Sequence, residues 1–248
     1  HTRMVQVSSP SELSDSTRVR VIFFDAGNTL LKPVESASTI YARTFRKWGL
    51  NVREEEVEKV FEATWSAFNA RFEVGMDKFT YYPGGERVFW QDFVHSVMKA
   101  FGTVRDPDGC FNDLYEIFRR PETWERYPAA EHTLEILSRN GLSLGIISNW
   151  DSSLKSLLDS RDLTRFFRVI LISSMGGGAK PAKEIFLMAA RAFDVTPTQC
   201  LHIGDSLHDD YMRTVGAGFQ ALLLDRKGLG NGRVPVVHSL EEVIEWVR

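Results

Sequence analysis

The sequence has little of what would tie it to a membrane, to nucleic acid or to an oxidising compartment. No apolar run in its 248 residues approaches the roughly 20 residues that a bilayer-crossing helix needs. Lys and Arg number 30 against 33 Asp and Glu, and the net charge of -3 leaves no excess of one sign for holding a polyanion. The two cysteines, Cys110 and Cys200, share no metal-ligand spacing, and Cys200 beside "LHIG" is expected to be a buried, reduced thiol. There is no internal repeat and no low-complexity tract. Residues 1–18 are polar, contain no apolar segment of the kind a secretion signal carries, and are expected to form a flexible tail. These absences point to a cytoplasmic protein with neither nucleic acid nor membrane as its partner.

What is present is the composition of a chain able to bury a full core, with 43% apolar and 25% charged residues. Short β-branched runs recur as "VRVIFFD" (19–25), "LSLGIIS" (142–148), "RVILIS" (168–173), "CLHIGD" (200–205), "FQALLLD" (219–225) and "VPVVHS" (234–239). Their near-continuous apolar character suits strands covered on both faces, as in a parallel sheet. Helical patterns alternate with the later runs: "AAEHTLEILSRNG" places Leu134 and Leu137 on one face and ends at Gly141, and "AKEIFLMAARAF" and "LEEVIEWV" read alike. The alternation predicts an α/β fold with a doubly wound, Rossmann-like parallel sheet over 19–32 and 128–248.

Residues 33–127 break that rhythm. Tyr41, Phe45 and Trp48 recur at helical spacing, as do Val57, Phe61, Trp65, Phe68 and Phe72, and again Phe89, Phe93 and Val97. Three or four amphipathic helices are expected here, forming an all-helical cap inserted after the first strand and its turn. Their aromatic stripes are expected to be its core. The stretch "FTYYPGGER" (79–87) mixes turn formers with aromatics and reads as a surface connection rather than a specificity loop.

Ligands of an open parallel sheet bind beyond the carboxyl ends of its strands. Asp25 follows the first run, Ser148 and Asn149 end the second, Lys180 follows the third, and Asp205, Asp209 and Asp210 follow the fourth. Each alone fits a turn, a helix cap or a solvated loop. All of them on one edge of one sheet make those separate explanations improbable.

The segments "FFDAGNTLL", "GIISNWD", "GGGAKPAKEIF" and "CLHIGDSLHDDYMRTVGAG" resemble the four motifs of the haloacid dehalogenase superfamily of aspartate-nucleophile hydrolases, and the likeness covers nearly all of 19–248. The resemblance implies a phosphoryl-transfer site in which Asp25 is the nucleophile and Lys180 supplies positive charge. Ser148 and the backbone of Asn149 would hold the phosphoryl oxygens of a small phosphorylated substrate. It further implies Mg²⁺, held by Asp25, the carbonyl of Gly27 and Asp205, with Asp210 ligating the ion or orienting its shell. A cation is physically reasonable there, because three carboxylates crowded together are costly without one.

The departure from the family pattern is Gly27, where its phosphatases carry a second aspartate that protonates the leaving group. Positioned acid–base catalysis is worth ~10²–10⁴-fold in rate, so the loss is serious. Four readings follow: a phosphatase for good leaving groups or one using another acid, such as His208 or a cap residue; a dehalogenase-like enzyme; a phosphonate-cleaving enzyme with a Schiff-base lysine, for which Lys47, Lys78 and Lys99 are candidates; or a binding or regulatory protein on a decayed hydrolase fold. The acidic cluster favours the first.

Overall fold

Among the described residues there are eight short strands: β1 (Val21–Phe24), β2 (Leu31–Pro33), β3 (Trp124–Arg126), β4 (Ser143–Ser148), β5 (Val169–Ile172), β6 (Cys200–Gly204), β7 (Gln220–Leu224) and β8 (Val236–Val237). The computed structural model describes residues 16–176, 178–180, 182–228, 230 and 232–248, so most of the expected N-terminal tail lies outside the described residues. Six strands form one sheet in the order β5-β4-β1-β6-β7-β8, every neighbouring pair parallel. This is the Rossmann-like α/β arrangement that the alternating runs predict. β1 lies inside the sheet and is buried along its whole length. Ile22 and Phe24 enter the apolar core on one face, Val21 and Phe23 that on the other. β8 is only two residues long; it is an edge strand preceded by Pro235, whose ring has no N–H to give to a ladder.

β2 and β3 pair antiparallel with each other, Leu31 opposite Arg126 and Pro33 opposite Trp124. This ribbon, which no sequence pattern announced, is where the chain leaves for its helical insert and returns. The insert holds helices α1 (Ala37–Lys47), α2 (Glu54–Asn69), α3 (Lys78–Tyr81), α4 (Gly85–Lys99) and α5 (Pro107–Arg119). Ser36 caps α1 by accepting from Thr39 N–H at 3.1 Å, and Gly49, at φ +93°, turns the chain out of it. The expected aromatic stripes meet in one cluster, with Phe45, Phe89 and Phe93 fully buried and Phe61 edge-on to Phe93 at 5.1 Å. α5 completes it through Cys110, Phe111 and Leu114.

The surface-connection reading of 79–87 is corrected at its first residue. Phe79 is 4% exposed and packs on Phe89 at 5.2 Å, because the single turn of α3 points it inward. Beyond the insert, α6 (Pro128–Arg139), α7 (Leu154–Ser160), α8 (Lys183–Ala192) and α9 (Glu242–Trp246) cover the sheet. Leu134 and Leu137 of α6 close one face; Ile185, Phe186 and Ala189 of α8 close the other.

Candidate active site

Asp25 is the first residue past β1, and its N–H is held by the carbonyl of Ile203 at 2.9 Å. The chain then turns tightly: Leu30 and Leu31 both donate to the carbonyl of Ala26 at 2.9 Å, with Asn28 in the left-handed region at φ +55°. Asparagine tolerates that conformation better than most side chains. The turn leaves the Asp25 carboxylate at the sheet edge, only 9% exposed.

Lys180 is brought to it by a clamp from the end of β4. The side chain of Asn149 accepts from Lys180 N–H at 2.8 Å and donates to the Lys180 carbonyl at 2.7 Å. The ammonium, thus placed, lies 2.9 Å from Asp25 Oδ1 and contacts Asp210 Oδ1 as well. Asp210 sits in a widened turn, Leu207–Met212, just past β6. Buried His202 approaches its Oδ1 at 3.0 Å, and Ser206 N–H donates to its Oδ2 at 3.1 Å. Gly204 is needed here, because a Cβ on it would come within 2.2 Å of the Asp210 carboxyl carbon.

The charges do not balance. Among the described residues Lys180 is the one cation paired with Asp25 and Asp210, and those two carboxylates outweigh burial and raise its pKa. Burial pushes the Asp210 carboxyl up, but Lys180 and His202 override it and hold the group well below the usual carboxylate range. Asp25 is shifted upward, by burial first and by Asp210 as well, against the pull of Lys180. Asp205 is the exposed member of the three and has the weakest counter-charge: partial burial of its carboxyl, and then the charges of Asp25 and Asp210, push it up to about 6 against the pull of Lys180. Oxygens of Asp25, Asp205 and Asp210 lie within 4.8 Å of one another. Burial keeps the His202 imidazole neutral by lowering its pKa, so it adds no positive charge.

Seven residues singled out from the sequence line one cavity of about 590 Å³: Asp25, Gly27, Ser148, Asn149, Lys180, Asp205 and Asp210. Asn149 does more than expected, since its side chain is spent on the Lys180 peptide. Asp209 is on the solvent side, its side chain 42% exposed and bonded to His208. Among the candidate cap lysines, Lys78 lines the cavity, whereas Lys47 is paired with Asp113 at 2.7 Å on the surface.

The insert closes this cavity. Trp90 Nε1 donates to Asp151 Oδ2 at 2.9 Å, and Glu86 accepts from Ser152 N–H at 2.8 Å, so α4 is docked on the loop after β4. An apolar second cavity of about 290 Å³ adjoins the first, sharing Trp65, Lys78, Phe79, Asn149 and Trp150 with it. His202 and Trp150 were not assigned to the site from sequence, whereas Lys78 was one of three candidate cap lysines. A histidine inside the apolar run "CLHIGD" was a visible signal for the first; Trp150 gave none.

A family model described as haloacid dehalogenase-like hydrolase matches residues 19–212. Haloacid dehalogenase-like hydrolase domain-containing protein 3 of Danio rerio is 30% identical over 217 residues, covering 84% of this chain and 86% of that protein. Phosphoserine phosphatase of Thermus thermophilus is 24% identical, covering 84% and 89%. The magnesium-bound HAD-hydrolase YfnB of Bacillus subtilis superposes with a TM-score of 0.73 at 21% identity, over 93% of this chain and 99% of that one. The L-2-haloacid dehalogenase RSc1362 shares the fold with a TM-score of 0.72 at 19% identity, over 93% and 99%.

Proposed function

Because the chain belongs to the haloacid dehalogenase-like hydrolase family, we propose that it is a magnesium-dependent phosphatase in which Asp25 attacks the phosphorus of a small phosphorylated metabolite. The observation that carries this reading is the surplus of negative charge at the sheet edge. Three carboxylates share a cluster in which a single ammonium, Lys180, is paired with two of them. A dianionic phosphate would be repelled by such a site, and so would a halogenated carboxylate. Hard oxygen donors around a charge deficit fit a divalent cation. Asp25, Asp205 and the Gly27 carbonyl are its natural ligands. Asp210 has its oxygens engaged by Lys180, His202 and Ser206, so its part is to set the shell. Bound Mg²⁺ would offset the surplus charge and polarise a phosphoryl oxygen.

The chain's own groups supply the rest. Lys180 holds one oxygen of Asp25, which fixes the carboxylate for in-line attack and forms an aspartyl-phosphate. Ser148, buried at the cavity wall, and the backbone beside Asn149 are placed to orient the phosphoryl oxygens. The relationship to a phosphoserine phosphatase supports the same reading, and buried free thiols at Cys110 and Cys200 go with a cytoplasmic setting.

The test is turnover of p-nitrophenyl phosphate with Mg²⁺ and with a chelator, using Asp25→Asn as the blank. Activity that the chelator lowers by about 10³-fold, in line with the several kcal/mol a metal contributes, and that Asp25→Asn abolishes, is expected. Metal-independent activity would point to dehalogenase-like chemistry, and metal binding without turnover of any phosphate ester to a binding protein.

A further inference from the structure

We propose that Lys78 protonates the departing oxygen of the substrate, and that the adjoining apolar cavity receives a leaving group with an aromatic or similarly flat apolar body. The inference rests on the phosphatase reading and supplies the acid that Gly27 cannot.

Lys78 lines both the charged cavity of Asp25 and the apolar cavity beside it. A phosphoryl group at Asp25 must send the rest of its molecule into the connected space, and the junction between the two is where the bridging oxygen has to lie. The Nζ of Lys78 is fixed at that junction, donating to Asn69 Oδ1 at 3.0 Å and sitting 3.9 Å from the centroid of the Trp65 ring. Beyond it the apolar cavity is walled by Phe61, Trp65, Phe79, Trp90 and Trp150. Aromatic walls of this kind favour flat apolar bodies over polar sugars.

The amine suits the task. Burial holds it down to about 8, against the opposing pull of Asp77 on its own turn and Asp209 across the cavity. Glu73 of the insert also faces the opening, as do Asp25, Asp205 and His208 from the sheet edge, while Lys180 and Asp210 pair with each other. An ammonium in that range is charged at neutral pH yet gives up its proton readily. Refilling position 27 would require the Trp150 ring to give way, since a Cβ there would meet it at 3.0 Å. His208 is a weaker candidate, because its ring is 61% exposed and its Nδ1 is bonded to Asp209.

In the first half-reaction Asp25 bonds to phosphorus as the P–O bond to the leaving group breaks. That electron pair goes to the leaving oxygen, which takes the proton from Nζ. In the second half the neutral amine takes a proton from the water that attacks the aspartyl-phosphate, restoring ammonium and carboxylate and releasing phosphate.

Benzyl phosphate and p-nitrophenyl phosphate test this, because both carry one ring but only the first needs its leaving oxygen protonated. The wild type with Mg²⁺ should turn over both. Lys78→Met should lower kcat on benzyl phosphate by a factor ~10²–10⁴ larger than it lowers that on p-nitrophenyl phosphate, the usual worth of a positioned acid. It should also abolish the fall of the benzyl rate on the alkaline side of about pH 8. Lys78→Arg keeps the charge but holds its proton too tightly to give it, so it should lose benzyl turnover likewise. Equal losses on the two esters, a wild type active on p-nitrophenyl phosphate alone, or loss of benzyl turnover in His208→Asn would each overturn the proposal while leaving the phosphatase standing. Borohydride trapping of Lys78 by an oxo-phosphonate would overturn it in favour of imine chemistry. A wild type inactive on both esters would sink the phosphatase reading and this inference together.

Discussion

The sheet edge and the helical insert face each other across one cavity, yet they are held by opposite kinds of force. At the sheet edge Asp25, Lys180 and Asp210 are between 1% and 9% exposed and depend on each other's charge. Inside the insert, order comes from rings: Phe89 alone lies within 6.4 Å of the rings of Trp65, Phe68, Phe79, Tyr82, Trp90 and Phe93. The ion pairs of the insert, such as Arg43 with Glu35 and Arg53 with Glu56, lie on its surface and are worth little. The lesson is a separation of duties. On the phosphatase reading, the groups that would meet a charged phosphorus are fixed by electrostatics on rigid strand ends, and the space that would take an apolar body is shaped by packing.

The sharpest way to break this contrast is to remove charge without removing volume. Asp25→Asn should lower the turnover of p-nitrophenyl phosphate by about 10⁴-fold or more, as nucleophile removal does elsewhere, while leaving thermal unfolding nearly unchanged. A variant that loses stability instead would mean that the carboxylate is structural. Lys180→Met comes next: it strands Asp25 and Asp210 as buried charges, and removing one partner of such a set costs about 3–5 kcal/mol, readable by urea denaturation. Phe93→Ala should cost a similar ~3–5 kcal/mol by leaving a cavity, but the folded fraction should keep its kcat on p-nitrophenyl phosphate. If it does not, the insert does more than shape the pocket.

Smaller effects sharpen the border between the regions. Trp90→Phe removes the bond to the Asp151 carboxylate at a cost of about 1.5–3 kcal/mol, and should raise KM more than it lowers kcat. Gly27→Ala should cost about 1 kcal/mol through overpacking against Trp150. In a Trp150→Leu background the same change should cost less, and the difference measures how firmly the ring occupies the place of the absent aspartate.

Much of this was legible before any coordinates. Apolar runs that end abruptly in Asp25, Ser148 or Asp205 mark strand ends, because a buried strand reaches water only at its tip. The aromatic stripes marked the insert's core for the equivalent reason, a helix having one face to bury. What was not legible depends on segments far apart in the chain. Trp150 fills the space beside Gly27 only because the loop after β4 folds over the turn after β1. Lys78 differs from Lys47 and Lys99 by where α3 is set down, not by its neighbours in sequence. His202 becomes a support for Asp210 only once the widened turn after β6 doubles back upon the strand.

One backbone contact joins the two halves at a telling point. The N–H of Ala179, immediately before Lys180, donates to the carbonyl of Gly75 in the insert at 3.0 Å. Gly75, at φ +87°, has Ala182 where its own side chain would stand, which leaves that seam no slack. A swing of the helices would therefore either drag the ammonium's tether along or forfeit a hydrogen bond worth about 1 kcal/mol. On the proposed reading, admitting a guest and placing the ammonium beside the aspartate would be coupled through this seam.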